Sequence, residues 1–123
     1  MSGKQILVID DEASIRVNVM RVLRLEGYVA REAENGVAGL ASARAEKPDL
    51  ILCDVMMPEL DGFGVLSALR ADPATANIPF IFLTASVELD DKRFGLTLGA
   101  NGYLAKPFSL PDLLALIKQT LGN

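Results

Sequence analysis

The sequence has no histidine, no tryptophan and a single cysteine, Cys53, among its 123 residues. Without histidine it lacks the commonest transition-metal ligand and the commonest general base. Any chemistry must come from carboxylates, hydroxyls, lysine and backbone groups. Oxygen-rich sites of that kind suit magnesium or calcium better than zinc or copper. One cysteine excludes an internal disulfide and fits a reducing, cytoplasmic setting. No apolar run approaches the ~20 residues that cross a bilayer. The run Ile6–Ile9, behind the polar start Met1-Ser2-Gly3-Lys4-Gln5, is too short for a signal-peptide core. The reading is therefore of no membrane insertion. Acidic residues outnumber basic ones, 16 to 12, for a net charge of −4. An acidic domain repels a phosphate backbone, which argues against direct contact with nucleic acid.

What the sequence does have is apolar content: half its residues are hydrophobic. One domain of this length can bury roughly two-thirds of its unfolded surface, and intrinsic disorder is excluded. Five short apolar runs alternate with longer mixed segments: Gln5–Ile9, Tyr28–Arg31, Leu50–Cys53, Pro79–Leu83 and Gly102–Leu104. Ile6–Ile9, Leu50–Cys53 and Phe80–Leu83 are apolar at every position, as strands buried on both faces of a parallel sheet should be. The intervening segments read as helices. Ile15, Val19, Val22 and Leu23 share one helical face ahead of Gly27, a fitting C-terminal cap. Val37, Leu40 and Ala41 share another, with Pro48 beyond. Asp61 or Gly62 opens a third helix carrying Val65, Leu66 and Leu69, and Phe94 and Leu98 lie in a fourth that Gly99 ends. Ser109, Pro111 and Asp112 start a fifth before Leu113, Leu114, Leu116 and Ile117. The pattern is βα repeated five times, which predicts an α/β fold with a parallel sheet covered by helices on both faces.

The polar residues that follow the buried runs carry the chemistry. Asp10, Asp11 and Glu12 follow the first run, Asp54 the third, Thr84 the fourth, and Lys106 stands just beyond the fifth. Strand C-terminal ends of a parallel sheet lie on one edge, where ligands of open α/β sheets bind. A lone aspartate after a strand is ordinarily a helix cap or turn residue. The set is harder to explain that way, because clustered acids repel unless positive charge compensates them. Lys106 supplies one charge, and a magnesium ion on Asp10, Asp11 and Asp54 would supply the rest. No G-x-x-x-x-G-K-[ST] loop is present, so nucleotide is not the obvious substrate. Asp54 is the candidate nucleophile for an aspartyl phosphate, with Lys106 and Thr84 stabilising the transferred phosphoryl oxygens.

These segments resemble the receiver domain of response regulators in two-component signalling. The resemblance rests on Leu7-Val8-Ile9-Asp10-Asp11-Glu12, Asp54-Val55-Met56-Met57-Pro58-Glu59-Leu60-Asp61-Gly62, Phe82-Leu83-Thr84-Ala85 and Gly102-Tyr103-Leu104-Ala105-Lys106-Pro107-Phe108. It covers essentially the whole chain, 1–123, as one receiver domain without an output domain. It implies a flavodoxin-like, doubly wound (βα)5 fold with a five-stranded sheet. Asp54 would accept a phosphoryl group from the phosphohistidine of a histidine kinase or histidine phosphotransfer protein. Magnesium would be held directly by Asp11, Asp54 and the Met56 backbone carbonyl, with Asp10 acting mainly through water. Lys106 would pair with the carboxylate and then the phosphoryl group. Thr84 would move its hydroxyl onto the phosphate beside the Ala85 N–H, and Tyr103 would turn inward with it. The Lys106–Pro107 peptide would be cis. The fourth helix, fifth strand and fifth helix would form the surface for a downstream protein. The chain would catalyse its own phosphorylation and dephosphorylation without being an enzyme in the ordinary sense, as a monomer or a weak phosphorylation-dependent dimer.

Met56 and Ser86 stand where the family tunes water access. An apolar Met56 cannot position water, so the aspartyl phosphate should be long-lived. Cys53 should point into the apolar layer and be inert. Asp90-Asp91-Lys92-Arg93 reads as a solvated helix face. Glu12 reads equally well as a helper at the metal site or as a helix first-turn acid. A haloacid-dehalogenase-type hydrolase would need D-x-D on the first strand, and a flavodoxin would need a Ser/Thr/Gly-rich loop where Asp10-Asp11-Glu12 stands. A degenerate receiver would lack part of the set Asp10, Asp11, Asp54, Thr84 and Lys106. The five units fill 5–121, as expected of a free-standing receiver or of one domain from a longer chain.

Overall fold

The computed structural model describes residues 3–85 and 89–122, the side chains of 89 and 90 excepted. Strands and helices alternate along it: β1 (Gln5–Ile9), α1 (Ala13–Leu25), β2 (Val29–Ala33), α2 (Gly36–Ala45), β3 (Leu50–Cys53), α3 (Gly62–Ala71), β4 (Phe80–Thr84), α4 (Leu89–Thr97), β5 (Gly102–Ala105) and α5 (Leu110–Leu121). The strands form one parallel sheet in the order β2-β1-β3-β4-β5. This is the flavodoxin-like α/β fold expected from the sequence.

The fully apolar runs divide between two cores by strand alternation. Leu7, Ile9, Ile51, Cys53, Phe80 and Phe82 face one side, packing with Ala43 of α2 and Val65, Leu66 and Leu69 of α3. Ile6, Val8, Leu50, Leu52, Ile81 and Leu83 face the other, with Val19, Met20 and Leu23 of α1 and Leu113 and Ile117 of α5. Helix starts are set by short polar side chains. Asn35 accepts from the Ala38 N–H, Asp61 from the Gly64 N–H and Ser109 from the Asp112 N–H.

The structure corrects several boundaries and faces. β2 begins after Tyr28, whose N–H donates to the Leu23 carbonyl and so finishes α1 rather than starting a strand. β4 excludes Pro79, which has no N–H to give a ladder, and includes Thr84; β5 gains Ala105. In α2 the buried residues are Gly36, Gly39 and Ala43, and Leu40 packs on the same core as expected, whereas Val37 is 56% exposed and Ala41 is exposed. Among the described residues of α4 the buried position is Gly95, against the rings of Phe82 and Phe63, and Leu98 just beyond the helix packs on the same core. Phe94 is largely exposed, although its ring meets the Phe63 ring edge-on. In both helices glycine brings the backbone close to the sheet, which a search for large apolar residues overlooks. Ser86 and the Asp90 side chain lie outside the described residues.

Candidate functional site

The ladder continues one residue beyond three strands and delivers the candidate residues to a common edge. The Asp10 N–H donates to the Ala33 carbonyl, the Asp54 N–H to the Ile9 carbonyl and the Lys106 N–H to the Thr84 carbonyl. Neighbouring pairs Ile9–Cys53 and Thr84–Ala105 set the register. Asp10, Asp54 and Thr84 are all buried.

Lys106 organises this edge. Its Nζ donates to Asp10 Oδ2 at 2.7 Å, to Asp54 Oδ2 at 3.1 Å and to Glu12 Oε1 at 3.1 Å. The three ammonium N–H groups thus have three carboxylate acceptors. The remaining oxygens of the buried pair take main-chain donors, Asp10 Oδ1 from the Glu12 N–H at 2.9 Å and Asp54 Oδ1 from the Met56 N–H at 3.2 Å. Burial pushes the Asp10 carboxyl above its ordinary value, against the opposing pull of the Lys106 hydrogen bond. Burial also pulls the Lys106 ammonium down, but its bond to Asp10 and the charges of Asp54 and Asp10 outweigh this and hold it above the usual lysine value. The ammonium therefore stays charged, and three acids share it.

Asp10, Glu12 and Asp54 each offer a carboxylate oxygen, and these lie within 4.8 Å of one another. That all-oxygen donor set fits a hard divalent cation such as magnesium. Asp11, expected to hold the metal directly, is exposed and is not in this trio. Glu12 takes the place beside Asp10 and Asp54. It stands at the N-cap of α1 but makes no capping bond with its side chain, which reaches Lys106 instead.

The other expected residues lie at the strand ends or, for Tyr103, within β5. Ala85 follows Thr84 and is exposed. The Lys106–Pro107 peptide is cis. Tyr103 is half-buried with its ring 5.9 Å from that of Phe82. The Met56 side chain is 65% exposed. Cys53 is fully buried, and its thiol donates to the Asp54 carbonyl. Burial, then the charges of Asp54 and Asp10, push that thiol well above the usual range, which disfavours the reactive thiolate. One neighbour escaped the sequence reading. Arg16 donates to the backbone carbonyl of Asp10 at 2.6 Å, and only its place near the start of α1 could have signalled it.

The sequence model described as response regulator receiver domain matches residues 6–118. The chain is 45% identical over 121 residues to the phosphate regulon transcriptional regulatory protein PhoB of Pseudomonas aeruginosa, covering 98% of this chain and 53% of that protein. It is 42% identical over 117 residues to the DNA-binding dual master transcriptional regulator RpaA of a Synechocystis species, covering 95% and 48%. It thus spans about half the length of the curated relatives it matches. A putative response regulator from Chloroflexus aurantiacus superposes with a TM-score of 0.92 at 34% identity over 98% of both chains. The Vibrio cholerae chemotaxis protein CheY4 does so with a TM-score of 0.90 at 33% identity, over 95% of this chain and 98% of that one.

Proposed function

Since the chain belongs to the response regulator receiver domain family of two-component signal transduction, we propose that it is a magnesium-dependent phospho-acceptor with Asp54 as the acceptor. The observation that carries this reading is the Lys106 ammonium held between the buried Asp54 and Asp10 carboxylates. An Asp54 oxygen attacks the phosphorus of a partner's phosphohistidine. The new P–O bond forms as the P–N bond breaks, and the imidazole leaves with its electron pair. Lys106 then turns part of its charge to the phosphoryl oxygens, and the Thr84 hydroxyl and Ala85 N–H supply further donors.

The carboxylates of Asp10, Glu12 and Asp54 would hold magnesium, with Asp11 and the Met56 carbonyl on the same two loops. The ion's contribution is neutralisation of charge on the transferred group. Phosphorylation adds roughly −1.5 to −2 charge, which favours the conformation that brings Thr84 and Lys106 closest to the phosphoryl group. The signal then passes through Tyr103 to the surface of α4, β5 and α5, read by a downstream protein. Exposed, apolar Met56 gives incoming water no hydrogen-bonding guide, so the aspartyl phosphate is long-lived.

Incubation with magnesium and acetyl phosphate, followed by intact mass, tests the chemistry. One added phosphoryl group, absent in Asp54→Asn, is expected; no mass shift at any magnesium concentration overturns the reading. Thr84→Ala should still accept phosphate but lose the dependence of partner affinity on it.

A further inference from the structure

Arg16 lies near the start of α1 (Ala13–Leu25), and its N–H donates to the Glu12 carbonyl in the helix's opening hydrogen bond. A cation there opposes the helix macrodipole, which is positive at that end. Side chains on a helix point back towards its N-terminus, and Arg16 follows that rule into the acidic loop. Its Nη1 donates to the Asp10 carbonyl oxygen at 2.6 Å, and its Nε to Glu32 Oε1 at 3.0 Å. The Arg16 side chain is only 13% exposed, against 47% for Glu32. Two separate N–H groups of a planar guanidinium are engaged, which a lysine ammonium does not reproduce.

The placement matters because the loop is crowded with negative charge. Asp10, Asp11 and Glu12 are consecutive and Asp54 joins them from β3. Lys106 already occupies one oxygen of each of Asp10, Glu12 and Asp54, and a second cation bonded to these carboxylates would compete further with a metal ion for their oxygens. Arg16 brings positive charge through the main chain instead. It touches the carbonyl of the residue whose carboxylate faces Lys106, and the same short turn is closed by the Glu12 N–H on Asp10 Oδ1. Glu32, on β2 beside Val8 of β1, holds the guanidinium from the neighbouring strand.

We infer that Arg16 is a positioning residue: by gripping the Asp10 carbonyl it fixes the turn that aims the Asp10 and Glu12 carboxylates at the cation site, and so sets magnesium affinity without touching the ion. The inference rests on the acidic cluster being the magnesium site proposed above. Groups that orient metal ligands from behind typically change affinity about 10- to 100-fold when removed.

Magnesium titration of the full chain tests it, read by calorimetry and by the amide NMR shifts of Asp10, Asp11, Glu12 and Asp54. Arg16→Met keeps most of the stem and removes charge and donors; it should raise the magnesium Kd about tenfold. Arg16→Lys should fall between Arg16→Met and the native chain, because one ammonium can still reach the carbonyl. Glu32→Gln, which keeps the Asp10 contact, should change Kd by less than about threefold. In acetyl phosphate reactions, the magnesium giving half-maximal rate should rise by the same factor as Kd, with the rate at saturation unchanged. A purely structural arginine would lower the urea midpoint of Arg16→Met and leave Kd untouched below the transition, and that result overturns the inference. If Arg16→Met does not fold, an unchanged Kd in Arg16→Lys overturns it. Failure of the native chain to bind magnesium would overturn the site itself, a separately recognisable outcome.

Discussion

Which of three adjacent acids turns towards the Lys106 ammonium is settled by backbone direction, and adjacency in sequence does not reveal it. Asp10 was legible because it continues a buried strand. Glu12 reads equally as a helix first-turn acid in the sequence, and its side chain reaches Lys106; Asp11 and Glu12 are both exposed. Glu59 is a second residue whose conformation the sequence hides. It has φ 68° in the loop between β3 and α3, the left-handed region that costs a side-chain-bearing residue about 1–2 kcal/mol. Its side chain is exposed, so removing it sacrifices no packing. Glu59→Gly should stabilise by about 0.5–1 kcal/mol after the entropy glycine adds to the unfolded chain is deducted. A lowered urea midpoint would contradict that. Cys53 is governed by burial beside Asp54, which raises the thiol pKa. A raised pKa means less thiolate at any given pH, so native protein should resist iodoacetamide at ordinary alkaline pH and react fully in denaturant. Rapid labelling of the folded chain would count against the assignment.

At the scale of elements, the three fully apolar strands could be read directly because every position of β1, β3 and β4 beyond Gln5 is buried. The edge strand β2 was less legible, since only Ala33 of its five residues is buried. In α2 and just beyond α4 the sequence shows Leu40 and Leu98, which do pack on the core, but for one physical cause it hides the closest approach of each helix. Each approaches the sheet through glycine, and glycine carries no hydropathy signal. A Cβ on Gly39 would collide with the Ile9 side chain, which is branched, fully buried and part of the strand leading into Asp10. Being fully buried, Ile9 can move only by displacing its core neighbours. Gly39→Ala should therefore destabilise by about 1–3 kcal/mol, despite alanine's better helix propensity. A neutral or stabilising urea denaturation result would show that α2 can lift away from the sheet freely.

For the whole molecule, alternation of buried runs and helical segments announced the α/β class, and strand order explains where the charges meet. With β1 and β3 adjacent in the middle, the chain winds to β2 on one side and to β4 and β5 on the other. The crevice at that reversal is where Asp10 and Asp54 emerge. Two buried carboxylates and Glu12 share one ammonium there. The sign of the effect on stability follows from Asp10, whose carboxyl is raised by burial more than Lys106 lowers it. A carboxyl raised on folding holds its proton more tightly in the folded state. Its ionised form therefore subtracts stability at neutral pH, and that loss is relieved as pH falls through the raised value. Asp10→Asn removes the ionisation and should raise Tm by a few degrees in the absence of divalent cations. Magnesium should reverse the ranking. A ligand at a hundredfold excess over Kd adds about 2.7 kcal/mol to the folded state, or about 10 °C in Tm for a domain of this size. The native chain should gain this in full and Asp10→Asn only in part. Their Tm curves against magnesium concentration should consequently cross. Parallel curves, or a variant less stable than the native chain without magnesium, would mean that the Asp10 charge is already compensated by Lys106 and that the edge is a structural ion pair.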